Sequence, residues 1–228
     1  SLSGAALPHP TVERIRAMIE IEAYLLFCAG AIAMIASPGP DFIYVLSQGL
    51  GQGARIGIFA AIGIWLGLLV HTTAAAVGVT ALLLASETLF NGVKYLGVAY
   101  LFYLGILLWR DDQVFQAKVS NRKASAFDSV RRGFFTNVLN PKVSLTFLAF
   151  IPQFIPTSST GNETVVLLGM TLSFLALLFF SLVALASHHF RRLLEERAYA
   201  LPAIRYLCGS LLMFFAFRLF ASDLSAQG

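Results

Sequence analysis

Hydrophobic residues form six long runs along the chain, separated by shorter polar stretches. The runs occupy residues 23–50, 57–84, 89–109, 134–155, 164–187 and 201–220. Each run is long enough to cross a bilayer as a helix of about 20 residues. None shows the alternation of polar and apolar residues, in segments of about 10, that is typical of transmembrane β-strands. The pattern therefore predicts an all-α membrane protein with about six transmembrane helices.

Prolines interrupt two of these runs. The first run contains the segment Ser37, Pro38, Gly39, Pro40 and Asp41, and the fourth contains Asn140, Pro141 and Lys142. Proline removes a backbone hydrogen bond and collides with the preceding turn, so both helices should break. Ser37 or Gly39 should cap the second half of the first helix, and Asn140 that of the fourth. Lipid tolerates such breaks where they face protein or a water-filled cavity, although two ordinary proline kinks are the alternative.

The basic stretch 110–132 divides the chain into two halves of three helices each. An odd number of helices per half gives the two halves opposite orientations in the membrane, an arrangement found in many transporters. Each half begins with one of the proline-interrupted helices. The predicted architecture is two inverted three-helix halves with broken first and fourth helices.

Composition agrees with a membrane protein and leaves no room for a separate soluble domain. Hydrophobic residues make up 57% of the chain and charged residues 12%, with a mean hydropathy of +0.76, whereas soluble domains carry about 25% charged residues. Residues 18–228 are predicted to form a single transmembrane domain whose main partner is the lipid bilayer. Residues 1–17 are polar, precede Met18, and are set apart as an N-terminal extension or an added segment.

Basic residues predict the orientation of the protein in the membrane. The net charge is +4, and eleven basic residues fall on one side of the predicted helices: Arg55, Arg110, Lys118, Arg122, Lys123, Arg131, Arg132, Arg191, Arg192, Arg197 and Arg205. The positive-inside rule places these loops in the cytoplasm and both termini in the periplasm of a bacterial inner membrane. Because the charges lie in short loops between apolar runs, they do not indicate nucleic-acid binding.

Asp41 is the one acidic residue of twelve that falls well inside a predicted span. Ionisable groups within a membrane usually mark a pathway for substrates or protons. Ser37, Asp41, Tyr44 and Gln48 are spaced by four, three and four residues, which places them on one face of a helix. Two interpretations stay open: Asp41 binds a substrate or a proton, or it only caps its half-helix, where the helix dipole favours a negative charge.

Further polar residues lie in or near the two breaks. Asn137 shares a helix face with Asn140, and His71 lies near the middle of the second run, as a proton relay or as a structural histidine. Lys142 either pairs with Asp41, binds a substrate carboxylate, or extends to the cytoplasmic interface. The two half-helix N-termini would present N–H groups that suit an anionic group such as a carboxylate.

The chain lacks the signals of metal, nucleotide or covalent chemistry. Its four histidines, two cysteines and four methionines are too scattered for a metal path. It contains no Walker A motif and no grouping of nucleophile, base and acid. We therefore expect no metal, no cofactor and no enzymatic activity, and the function expected from the residues is secondary transport.

Short motifs give the chain a family resemblance. They comprise residues 37–41, the glycines at 49, 53 and 57, and the segments 95–105, 133–142 and 150–154. With these motifs the chain resembles the LysE/RhtB family of amino-acid exporters from about Met18 to its end. The resemblance implies export of an amino acid or derivative from the cytoplasm, driven by an ion gradient and expected to be proton antiport. It does not specify the amino acid.

Two other functions are alternatives to amino-acid export. A cation exporter would place more carboxylates in its spans than Asp41 alone. A non-transport membrane protein would have both breaks sealed by side chains, whereas a transporter should have a polar cavity that reaches them. A homodimer is a further expectation.

Overall fold

The computed structural model describes residues 10–110, 124–155, 162–187 and 200–226. Within these ranges the chain is helical and contains no strand, which confirms the predicted all-α class. The helices are α1 (Pro10–Ala36), α2 (Pro40–Gln52), α3 (Ala54–Ala85), α4 (Glu87–Arg110), α5 (Ala126–Val138), α6 (Pro141–Phe150), α7 (Asn162–Leu185) and α8 (Ala200–Ala226), with a 3₁₀ turn at Ile151–Phe154 after α6.

Three described helices are long and apolar enough to cross a membrane unaided, through Ala54–Gly78, Thr88–Arg110 and Asn162–Leu185. Two helix pairs pass the same test jointly although they are bent, by 60° between α1 and α2 and by 55° between α5 and α6. Counting each pair as one span gives up to five. The sixth predicted span corresponds to α8, whose apolar part, Tyr206–Ala221, is shorter than the others.

Contacts between helix ends show that α8 nevertheless runs the length of the bundle. Near its start, the backbone carbonyl of Tyr206 accepts a hydrogen bond of 3.2 Å from the Trp109 indole at the end of α4. Near its other end, Arg218 lies 3.5 Å from Glu22 in α1. Helix α8 therefore extends from one end of the bundle, where α4 ends, to the opposite end, where Glu22 lies.

The two broken helices run in opposite directions. The backbone N–H of Ala124, just before α5, donates to the side chain of Gln52 at the end of α2. At the opposite end, Gln153, which follows α6, donates at 2.7 Å to the carbonyl of Lys94 near the start of α4. The α1–α2 pair thus ends where the α5–α6 pair begins, as the predicted inverted halves require.

Two boundaries differ from those predicted. The helix of the fourth span begins at Ala126, eight residues before the predicted span, because the Ser125 hydroxyl caps α5 by accepting a hydrogen bond of 3.1 Å from the Asp128 N–H. Hydropathy marks the part of a helix that lipid surrounds, whereas the cap marks where the helix starts. Helix α1 begins at Pro10, ahead of the first apolar run, which begins at residue 23.

Glycines allow α3 and α5 to cross with their backbones in contact. A Cβ atom on Gly63 would lie 2.1 Å from the Val130 carbonyl oxygen, and one on Gly133 would lie 2.5 Å from the Ala60 carbonyl oxygen. Both distances are far below van der Waals contact, so these positions accept only glycine. Small residues of this kind let helices approach closely in a membrane, and the crossing fixes α5, with its break, against α3.

Candidate functional site

The break between α1 and α2 follows from its two prolines. Helix α1 ends at Ala36, and Gly39 adopts an extended conformation (φ −173°, ψ −178°) as the N-cap of α2 without supplying a side-chain hydrogen bond. Pro40, which has no N–H to satisfy, occupies the first turn of α2. Of the two predicted caps, Gly39 is therefore the N-cap residue, and Ser37 lies in the break before the helix.

The break between α5 and α6 has the same design with a different cap. The Asn140 side chain accepts a hydrogen bond of 3.0 Å from the Lys142 backbone N–H, and Pro141 fills the first turn of α6. The predicted capping role of Asn140 is confirmed. Because one half-helix begins Gly-Pro-Asp and the other Asn-Pro-Lys, Asp41 and Lys142 occupy equivalent positions with opposite charge.

Asp41 lies where the two breaks meet. Its side chain is buried, and one carboxylate oxygen accepts a hydrogen bond of 2.7 Å from the Asn137 amide, while the other accepts one of 3.3 Å from the Asn140 amide. Hydrogen bonds to a charged group are stronger than those between neutral groups. Asp41 follows the first break. Its carboxylate is thus held by Asn137, just before the second break, and by Asn140, within it.

Lys142 reaches back across the site to the first break. Its ammonium group donates a hydrogen bond of 3.2 Å to the Ser37 carbonyl and a second, short one to the Ser37 hydroxyl. A Cβ atom on Gly39 would lie 3.2 Å from the Lys142 Nζ. Lys142 therefore points into the protein. It does not extend to the membrane interface, which was one of the three interpretations drawn from the sequence.

Asn137 is held in place by α3. A Cβ atom on Gly67 would lie 2.6 Å from the Asn137 Oδ1, which is buried and has no hydrogen-bond partner. The backbone carbonyl of Asn137 lies 3.2 Å from the His71 Nε2. His71 thus contacts the backbone of Asn137, whose side chain presents its N–H₂ group to Asp41.

Tyr44 and Gln48 do not share the surroundings of Asp41. The Tyr44 hydroxyl donates at 3.0 Å to the Ser129 carbonyl in α5, and the buried Gln48 side chain accepts at 2.7 Å from Gln52. Both lie on α2, whereas Ser37 precedes it, so the expected single helix face of four polar residues is wrong at Ser37. The proline break interrupts the helical periodicity from which that face was predicted.

A cavity of about 60 Å³ opens at the two breaks. Its polar wall consists of Ser37, Gly39, Asp41, Asn140, Lys142 and Thr146. Thr146 was missed in the sequence, although it lies one helical turn after Lys142 and so on the same face of α6. Pro38, Pro40, Pro141, Tyr44, Asn137 and His71, all candidates from the sequence, shape or support the site but do not line this cavity.

The rest of the cavity wall is apolar. Leu172, Ala176 and Phe180, spaced by four residues, form it on α7, and Leu68 of α3 and Phe147 of α6 lie beside them. Sequence reasoning missed this wall, because apolar residues in a membrane protein face lipid as often as they face a cavity. The site therefore combines a charged, hydrogen-bonding end with a hydrophobic end, and the described residues contain no cluster of metal ligands.

Fold and site together define a multi-pass membrane protein with a polar centre between two broken helices. The LysE type translocator family model matches residues 32–223. The chain belongs to the LysE type translocator family, which confirms the resemblance seen in the sequence and identifies a transporter rather than an enzyme.

Similar proteins from other bacteria agree with this assignment. The leucine efflux protein of Enterobacter sp. (strain 638) is 32% identical over 198 residues, which cover 85% of this chain and 92% of that protein. The leucine efflux protein of Klebsiella pneumoniae is 32% identical over 203 residues, covering 86% and 93%. An uncharacterized membrane protein of Vibrio cholerae is 32% identical over 170 residues, covering 74% and 83%. No solved structure matches the chain. Family and relatives together support amino-acid export.

Proposed function

We propose that this protein is a secondary transporter that exports an apolar amino acid, with leucine as the first candidate, from the cytoplasm by proton antiport. The observation that carries the proposal is the cavity in which Asp41 and Lys142 lie on opposite half-helices next to a hydrophobic wall. An amino acid with an apolar side chain has the same three parts: an ammonium group, a carboxylate and a hydrophobic group.

The carboxylate of the substrate is assigned to Lys142, with the N-terminus of α2 as a second contact. A cation at the N-terminus of a helix is unfavourable, because the helix dipole is positive there. Lys142 nevertheless occupies the first turn of α6, with its ammonium group directed toward Ser37 in the break. A bound anion would remove this conflict by accepting from the ammonium group, while Gly39 leaves the N-terminus of α2 without a side-chain cap.

Asp41 is assigned to the substrate ammonium group in one step and to a proton in the other. Each of its carboxylate oxygens accepts one amide hydrogen bond and keeps the capacity to accept another. Since an ammonium group and a proton compete for the same carboxylate, occupancy by one excludes the other. Such competition at a single site is what an antiporter requires.

The hydrophobic wall favours an apolar side chain over a charged one. A charged group placed against Leu172, Ala176 and Phe180 would lose its hydration without finding a partner. Two of the relatives described above are leucine efflux proteins. At about 60 Å³ the cavity holds a few water molecules, so substrate entry requires the half-helices or α7 to move apart.

The test is transport of labelled amino acids by purified protein in proteoliposomes with and without an imposed proton gradient. We expect gradient-driven uptake of leucine into inside-out vesicles and competition by isoleucine, valine and methionine but not by lysine or glutamate. The alternative of a cation exporter predicts that K⁺ or Na⁺ flux, and not leucine flux, follows the gradient. A non-transport membrane protein predicts no flux of either kind above that of empty liposomes.

A further inference from the structure

A second depression lies between α2 and α5, outside the cavity at the breaks. It has a volume of about 550 Å³ and is lined by Tyr44, Arg131, Arg132, Phe135, Thr136 and Leu139. Two adjacent guanidinium groups and a threonine hydroxyl are suited to a phosphate group, because arginine binds phosphate oxygens through paired N–H donors. No acidic side chain lines the depression.

The position of the two arginines along α5 bears on their depth in a bilayer. Arg132 precedes the break at Asn140 by eight residues, which at about 1.5 Å per residue is roughly 12 Å along α5. The break lies near the middle of the bent pair, and half of the hydrocarbon core is about 15 Å thick. With the break placed at the middle of the bilayer, the Arg132 backbone lies about 3 Å inside the hydrocarbon boundary. The long arginine side chains extend from there to the headgroups.

Apolar side chains continue the depression toward the middle of the bilayer. Phe135 follows Arg132 by three residues on the same face of α5, and Leu139 directly follows the helix as its C-cap residue. Both lie between Arg132 and the break, and so deeper in the membrane. Their side chains are 51% and 74% exposed. A phospholipid has this order of chemistry, with a phosphate at the surface and a hydrocarbon chain below it.

The depression stays positively charged despite one neighbouring acid. Arg131 lies 3.7 Å from Asp128, one turn earlier in α5, and both side chains are exposed. Asp128 offsets one of the two positive charges, and Arg132 supplies the other. Basic pockets at this depth attract anionic lipids over zwitterionic ones.

We propose that this depression binds an anionic phospholipid, with its phosphate on Arg131 and Arg132 and one acyl chain along Phe135 and Leu139. The Tyr44 side chain, which joins α2 to α5 through its hydrogen bond to the Ser129 carbonyl, forms part of the same wall. Bound lipid would therefore also cover the seam between α2 and α5. The site differs from the transport cavity, and the proposal does not depend on the transported substrate.

The experiment is a lipid titration of the purified full-length protein in detergent, followed by native mass spectrometry. Wild-type protein should retain phosphatidylglycerol in preference to phosphatidylcholine. The double variant Arg131→Gln, Arg132→Gln should lose about tenfold or more of that preference, since each basic residue near a membrane surface contributes on the order of 1 kcal/mol. Arg132→Lys, which keeps the charge but not the paired donors, should fall between the two.

Arg218→Gln is the matched control, because Arg218 is also exposed but lies on α8 near Glu22, at the opposite end of the bundle. It should bind phosphatidylglycerol like the wild type. Equal binding by the double variant and the wild type would overturn the proposal, as would equal retention of the two lipids by the wild type. Displacement of phosphatidylglycerol by millimolar inorganic phosphate would assign the site to a soluble anion instead of a lipid.

Discussion

At the scale of residues, the site depends on two opposite charges that do not pair directly. Asp41 accepts from Asn137 and Asn140, whereas Lys142 donates to Ser37. Each charge is thus satisfied by polar groups of the other break. Charges held in this way keep part of their binding capacity for a ligand, which a direct ion pair would use up.

Replacing Asp41 by asparagine should abolish export against a gradient. The change removes the titratable charge but keeps the size of the side chain. It also places an N–H₂ group among the donors of Asn137 and Asn140, so about 1–3 kcal/mol of stability should be lost. The measurement is leucine flux in proteoliposomes, normalised to folded protein.

Two comparisons make the Asp41 test decisive. Asp41→Glu should retain part of the activity, and Glu22→Gln, at an exposed carboxylate, should retain all of it. If Asp41→Asn transports leucine at the wild-type rate, the carboxylate has a structural role only.

Lys142→Met should impair transport while leaving the folding stability nearly unchanged. The variant keeps the length of the side chain, loses the proposed carboxylate contact and should raise the apparent KM for leucine at least tenfold. Folding stability should change by less than about 1 kcal/mol, because the loss of two hydrogen bonds is offset by removal of a cation from the positive end of α6.

The measurements for Lys142→Met are counterflow of labelled leucine and thermal unfolding of the purified protein. Arg55→Gln, at an exposed cation near the start of α3, is the control and should leave both unchanged. An unaltered KM would remove Lys142 from the proposed substrate site.

At the scale of elements, the crossing of α3 and α5 positions the site. Gly63 and Gly133 bring the two backbones together, and Gly67 leaves room for Asn137 against the same face of α3. The asparagine amide can therefore reach Asp41 only if this crossing stays close. Small residues of this kind stabilise helix pairs in lipid, where hydrophobic burial provides little driving force.

Gly63→Ala should destabilise the protein by about 2 kcal/mol or more and lower export with it. The added methyl group would lie 2.1 Å from the Val130 carbonyl oxygen, so the helices must separate. Gly78→Ala is the matched control, since Gly78 lies in the same helix and has no atom within 4 Å of its Cβ position.

Because alanine favours helices by up to about 1 kcal/mol over glycine, Gly78→Ala should leave the melting temperature unchanged or raise it. Thermal unfolding followed by gel filtration measures both variants. Equal melting temperatures for the two would show that the crossing tolerates separation.

At the scale of the whole molecule, the arrangement of helix ends predicts which segments share a side of the membrane. The ends of α2 and α4 and the start of α8 lie at one end of the bundle, and Glu22 of α1 and Arg218 of α8 lie at the other. Applied to this arrangement, the positive-inside rule assigns the first group to the cytoplasm. Of the eleven basic residues behind this orientation, Lys118, Arg122, Lys123, Arg191, Arg192 and Arg197 lie outside the described residues.

Cysteine labelling tests this orientation. In a background of Cys28→Ala and Cys208→Ala, single cysteines replace Phe127, at the start of α5, or Asn162, at the start of α7, both of which are exposed. An impermeant maleimide added to spheroplasts should label position 162 and not position 127, and both should react after lysis. Labelling of position 127 alone in spheroplasts would reverse the orientation. The homodimer stays a prediction.

The sequence alone determined the helical class, the two breaks and the buried carboxylate. These features follow from local chemistry: lipid demands long apolar helices, and proline cannot continue a helix wherever it lies. The same reasoning identified Asn140 as a cap. The apolar run begins at residue 134, whereas the helix that contains it begins at Ala126, because hydropathy does not show where a cap lies. The predicted polar face assumed a continuous helix from Ser37 to Gln48, because periodicity does not show breaks.

Only the tertiary structure decided which groups meet. Asp41 contacts partners 96 and 99 residues further along the chain, and the direction of Lys142, the apolar wall on α7 and the basic depression between α2 and α5 depend equally on packing. In a soluble protein the apolar face of a helix reveals its buried side. In a membrane protein both the lipid-facing and the inward-facing sides are apolar, so the inward face is set by where glycines let helices approach, as they do for α3 and α5.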